Sequence, residues 1–118
     1  MSVTFAQIAV DCADVQSQAA FWAEVFQTEV DAGSNQFMAT VNRAATGGPA
    51  MMFLQVPEKP AGVKNRLHLD LGSSDWAADV DRIVALGAKR EVEFTEYGTH
   101  WITLTDPEGN VFDLAEAH

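Results

Sequence analysis

The sequence predicts an α+β fold made of two copies of one unit, strand, helix, strand, strand and an optional further strand, arranged as a pair of half-barrels in one domain. Three observations carry this. Strand-like runs with two-residue alternation are interleaved with two amphipathic helical runs. The opening pattern returns after 61 residues, so that Gln7, Ile8, Val10 and Asp14 fall on His68, Leu69, Leu71 and Asp75. A chain of 118 residues, 47% of them hydrophobic, can close one packed core without disulfides. The repeats span about 1–58 and 63–118 of a single domain over 1–118. Two copies are too few for a solenoid, which leaves stacked halves.

Each element has its own local cause. VTFAQIAV at 3–10 alternates as a strand, and Asp14 is placed to cap a helix in which Val15, Ala19, Trp22 and Phe26 recur at helical spacing. QFMATVN at 36–42 and AMMFLQV at 50–56 are strands separated by a turn-rich stretch with Gly47, Gly48 and Pro49. A proline-bounded connector, PEKPAGVKN, leads into the strand RLHLDL. Ser74 or Asp75 then caps a second helix carrying Trp76, Val80, Ile83 and Val84, which stops near Gly87. A short apolar segment at Val92 to Phe94 precedes the strand HWITLT at 100–105. Asp106, Pro107, Glu108 and Gly109 suit a tight turn into the last strand, NVFDLA.

Strand alternation assigns the faces. Leu67, Leu69 and Leu71 share one face, toward the helices, and His68 and Asp70 share the other. Phe112 and Leu114 likewise go under the helices and leave Asp113 on the second face. Applied to AMMFLQV, alternation puts Met52 and Leu54 inward and Met51, Phe53 and Gln55 on the second face. That face collects Gln7, His68, Asp70 and Asp113 among apolar and aromatic side chains, the usual composition of a small-molecule site. An aspartate between Phe112 and Leu114 is expensive to bury alone, so Asp113 is expected to meet His68, a metal ion or water. Trp101 and Tyr97 are candidates to line the same site, while Phe21, Trp22, Val25 and Phe26 are core. His100 and His118 receive no role.

Composition excludes several classes. Seventeen acidic against seven basic residues give a net charge of −10, which repels nucleic-acid phosphates and suits cationic ligands or metal ions. The lone Cys12 forms no internal disulfide and reads as a small buried residue. No apolar run reaches the length of a membrane span, and the first residues lack the basic and apolar blocks of a secretory signal, so a cytoplasmic protein is expected. No nucleophile sits beside a base, and there is no glycine-rich phosphate loop or cysteine pair.

QIAVDCAD leading into AAFWAEVF, NRLHLDL before a helix ending ALGAKR, and above all WITLTDPEGNVFDL resemble the vicinal oxygen chelate superfamily, in its glyoxalase-like subgroup. That superfamily holds glyoxalases, bleomycin-resistance proteins and extradiol dioxygenases, and the resemblance spans essentially the whole chain. It implies paired βαβββ modules forming a curved mixed sheet around a cleft, and a homodimer. It also implies a divalent ion held by four positions, which fall here on Gln7, Phe53, His68 and Asp113. Three can ligate and Phe53 cannot, which leaves waters or the nearby Gln55 to complete a site for Zn, Ni, Co, Mn or Mg.

Two functions follow from the resemblance. One is a metal-dependent lyase or isomerase acting on a substrate with vicinal oxygens, with Asp113 or a bound water moving the proton. A dioxygenase is less favoured, because a single histidine falls at a ligand position. The alternative is a metal-free protein that sequesters a small cationic aromatic compound, as bleomycin-resistance proteins do, in a cleft lined by Phe53, Gln55, Asp70 and Trp101. A module serving interaction or dimerisation alone is the third expectation.

Overall fold

A computed structural model describes residues 5–43, 49–57, 65–96 and 98–117. The start of the first predicted strand, Gly47 and Gly48, most of the connector, Tyr97 and His118 lie outside the described residues. The chain divides into two compact units, Met1–Pro60 and Ala61–His118.

In the first unit, β1 (Ile8–Cys12) is followed by α1 (Val15–Val25), β2 (Met38–Val41) and β3 (Met51–Gln55). The sheet order is β1-β3-β2, with β1 parallel and β2 antiparallel to β3. Asp14 occupies the N-cap of α1, and its Oδ1 accepts from the Ser17 backbone N–H at 3.1 Å, as expected for a residue that satisfies one of the helix's unpaired donors. The helix packs on β2 and β3. Phe21, Trp22, Ala39, Val41, Met51 and Phe53 are buried in this unit, and each large side chain contributes about 1.5–3 kcal/mol by leaving water. Cys12 is buried, as expected, and its thiol meets the Leu54 carbonyl at 3.6 Å.

The faces of β3 are the reverse of those expected. Met51 and Phe53 are buried, and Met52 and Leu54 are half-buried on the other side. The run Met51 to Leu54 is apolar on both sides, so alternation identifies two faces but not which one is inward.

In the second unit, β4 (Leu69–Ser73), α2 (Trp76–Ala85), β5 (Lys89–Glu96), β6 (Thr99–Thr105) and β7 (Val111–Glu116) form a sheet in the order β4-β7-β6-β5. β4 runs parallel to β7, and the other neighbours are antiparallel. The turn between β6 and β7 is closed by Asp106, whose Oδ1 accepts from the backbone N–H groups of Glu108 and Asn110, while Gly109 supplies a φ of 89°. Ile102, Leu104, Phe112 and Leu114 are buried, and α2 packs on β4 and β7. Leu67 departs from its expected helix-facing place: it precedes β4 and is 92% exposed.

Both units follow one plan. Leu69 less Ile8 and Phe112 less Met51 both give 61, so the parallel pairs β1/β3 and β4/β7 share a single register offset. Phe53, expected to be the counterpart of Asp113, is therefore one residue out of register with it. Val30, bridged antiparallel to Val41, stands where the second unit has the whole of β5, so each unit reads βαβββ with one strand of the first reduced to a bridge.

Candidate metal centre

The single offset changes which side chain in the first unit corresponds to Asp113. It is Met52 and not Phe53, which is fully buried on the opposite side of β3. Gln55 is exposed at the end of β3 and shares Phe53's side of the strand, so it does not take the vacant ligand role either. Gln7 and Met52 meet as a pair, the Gln7 side-chain amide lying 3.7 Å from the thioether sulfur. Their counterparts in the second unit, His68 and Asp113, meet in the same way, with Nδ1 3.9 Å from Oδ2.

The second unit brings three sequence-predicted residues together. His68 Nδ1 lies 3.1 Å from Asp70 Oδ1, and one donor atom from each of His68, Asp70 and Asp113 falls within 4.8 Å of the other two. Strand geometry causes this. Asp70 and Asp113 are register partners on the parallel pair β4/β7, and His68 sits two residues before Asp70, on the same side of the chain. The side chains are 36%, 75% and 21% exposed for His68, Asp70 and Asp113, so Asp113 is the most enclosed and Asp70 stands at the rim.

Two further residues place these groups. Thr103, the register partner of Asp113 on β6, donates its hydroxyl to Asp113 Oδ1 at 2.6 Å and leaves Oδ2 as the oxygen turned to His68. Asn65 pairs both edges of its side-chain amide with the Val111 backbone, accepting at 2.7 Å and donating at 3.0 Å, and so fastens the segment leading to His68 beside β7. Neither was visible in the sequence, because a threonine in a strand and an asparagine before one are ordinary in those places.

The donor set fits a divalent ion. One imidazole nitrogen and two carboxylates suit Zn, Mn, Co or Ni, and two donors on one ion at about 2.1 Å each stand no more than about 4.2 Å apart. Both separations from His68 Nδ1 meet that limit, and drawing all three atoms onto one ion takes a small side-chain shift.

Trp101 lies on the same open face of the sheet, stacked on Phe94 at 5.0 Å between centroids and 19° between planes. On the other face, His100 contacts the Trp76 ring at 4.2 Å and bonds Glu93 at 2.6 Å. That hydrogen bond raises the His100 pKa above 6.5; burial opposes the shift, and the charges of Glu93 and Glu116 add to it.

A family model for the glyoxalase-like domain matches residues 7–115, and the chain belongs to that family, within the vicinal oxygen chelate superfamily. Solved structures share the fold. An enzyme of the glyoxalase/bleomycin resistance protein/dioxygenase family from Burkholderia phytofirmans is 20% identical with a TM-score of 0.75, covering 96% of this chain and 98% of that one. The fosfomycin resistance protein FosX from Listeria monocytogenes is 17% identical with a TM-score of 0.77, covering 100% and 96%, and a variant of it was solved with Mn(II) and a dihydroxypropylphosphonic acid. A lactoylglutathione lyase from Agrobacterium tumefaciens is 17% identical with a TM-score of 0.64, covering 97% and 93%. None of the curated protein sequences matches the chain. Among the described residues, no helix is long and apolar enough to cross a membrane.

Proposed function

We propose that this protein is a divalent-metal-dependent enzyme, a lyase or isomerase acting on a small molecule with vicinal oxygens, with His68 and Asp113 as its principal metal ligands. The observation that carries this is the convergence of His68, Asp70 and Asp113 on one sheet face, with the orientation of Asp113 set by Thr103. A bound divalent ion would supply Lewis acidity toward the substrate's paired oxygens. The chain supplies the rest. His68 and Asp113 hold the centre, Asp113 is the carboxylate placed to move a proton, and Asp70 adds a second carboxylate beside His68 at the solvent edge. The net charge of −10 favours cation capture. The presence of Mn(II) in a FosX structure supports the same chemistry by likeness of fold.

Elemental mass spectrometry on protein purified without chelators or a histidine tag tests this. Near-stoichiometric metal in the parent and none in a His68→Ala/Asp113→Ala double variant is the expected result. A parent that stays empty after incubation with Zn, Ni, Co and Mn contradicts it.

One observation favours the alternative, a metal-free binding protein. In the first unit the corresponding positions hold Gln7 and Met52, which satisfy each other without an ion. Retention of a cationic aromatic compound by metal-free protein would support that function. The resemblance also carries a homodimer, which light scattering at micromolar concentration tests; a monomer there removes it.

A further inference from the structure

The face of the second sheet turned away from α2 is a grid of cross-strand rungs. One rung runs Asp70, Asp113, Thr103, Val92 across β4, β7, β6 and β5, and holds the carboxylate donors. The next runs Gly72, Ala115, Trp101, Phe94. Its two halves differ sharply in side-chain volume. Gly72 and Ala115 project almost nothing, and a Cβ built at Gly72 meets no atom within 4 Å. Trp101 and Phe94, stacked on each other, stand beside them as an aromatic wall. A low floor next to a rigid wall of ring is a place for another ring, which gains apolar burial and an aromatic contact together.

We infer that this second rung is a subsite for an aromatic ring, so that the small molecule taken at the metal centre carries an aryl group one or two carbon atoms away from its adjacent oxygens. The inference rests on the metal-centre reading above. The spacing sets the linker: same-face residues two apart on a strand are separated by about 6.6 Å, so the ring lies that far from the donors. A catechol, with its oxygens fused directly to the ring, holds the ring too close. An aryl 2-hydroxy acid spans the distance. Gly72 and Trp101 are then specificity-determining residues that do not themselves touch the ion.

Isothermal titration of Mn(II)-loaded protein with 3-phenyllactate, lactate and catechol tests the subsite in the parent, in Gly72→Val and in Trp101→Leu. Valine suits a strand, and its Cβ enters open space at Gly72, so this variant is expected to fold; circular dichroism melts check both variants. Phenyllactate is expected to bind the parent about tenfold or more tighter than lactate. That ratio should fall to near one in Gly72→Val, where the floor is filled, and drop severalfold in Trp101→Leu. Equal binding of phenyllactate and lactate by the parent, catechol binding as tight as phenyllactate, or a ratio unchanged in both variants overturns the subsite while leaving the metal centre standing. Where Mn(II) is not taken up, the same titrations are run on protein loaded with Zn(II), Co(II) or Ni(II); a parent that takes up none of the four overturns the metal centre and the subsite with it.

Discussion

Asp113 keeps its two carboxylate oxygens in different company, Oδ1 accepting from Thr103 at 2.6 Å and Oδ2 facing His68 at 3.9 Å. A hydroxyl that fixes one oxygen of a metal-binding carboxylate orients the other, and such outer contacts are worth roughly ten- to a hundredfold in metal affinity. Thr103→Val is therefore expected to weaken Mn(II) or Zn(II) binding about tenfold, with Thr103→Ser restoring most of it, as read by competition with a chromophoric chelator. Equal affinity in the valine variant would remove the role. His68 and Asp113 were legible in the sequence because each is a polar residue set into an alternating apolar strand, LHLDL and VFDLA. Met52 was not, since the apolar run Met51 to Leu54 hides which side is inward. Thr103 gave no signal at all, because its importance comes from lying opposite Asp113 across a ladder that pairs only in the folded sheet.

At the scale of elements, the two helices begin differently. Asp14 caps α1 through its carboxylate, whereas Asp75, at the matching place before α2, makes no side-chain cap bond. There the work passes to Ser73, whose hydroxyl donates to Asp79 at 2.7 Å and accepts from the Asp75 backbone N–H at 3.0 Å. Asp14→Ala should thus destabilise the protein by about 1 kcal/mol and Asp75→Ala by clearly less, measured by urea unfolding. The sequence predicted both helices and the strands other than β5, since periodicity and caps are local. It misplaced ends because ladders and bulges are not: β5, of which only a short apolar segment at Val92 to Phe94 stood out, runs from Lys89 to Glu96 through pairing with β6 and a register shift between Arg90 and Val92.

The element that receives β5 also holds a titrating group. His100 on β6 bonds Glu93 on β5, lies 3.6 Å from Glu116 on β7, and packs on Trp76 of α2. A histidine whose folded pKa is raised contributes stability that is fully present below its unfolded value near 6.5 and is lost as pH climbs through the folded value. The melting temperature of the parent should therefore exceed that of a Glu93→Gln variant at about pH 6, and the gap should narrow by about pH 8. A gap that widens over that range would contradict the assignment.

For the whole molecule, the repeat is the organising fact. One offset of 61 relates β1 to β4 and β3 to β7, and places Gln7 with Met52 where the second unit has His68 with Asp113. One copy presents an imidazole and a carboxylate, and the other an amide and a thioether that satisfy each other. The two-copy plan was readable from sequence because QIAVDCAD and HLDLGSSD carry it within single elements. The register of the last strand in each copy was not, because it is fixed by pairing with the first strand across more than forty residues of chain.

The most direct test of the central claim is Co(II) titration of metal-free protein, followed by visible absorption and by hyperfine-shifted proton resonances. One equivalent of Co(II) should bring d–d bands together with a shifted, exchangeable imidazole signal. The imidazole signal should vanish in His68→Gln and the bands should change or weaken in Asp113→Asn. Bands that never form, or that persist unaltered in both variants, would contradict a metal centre built on His68 and Asp113.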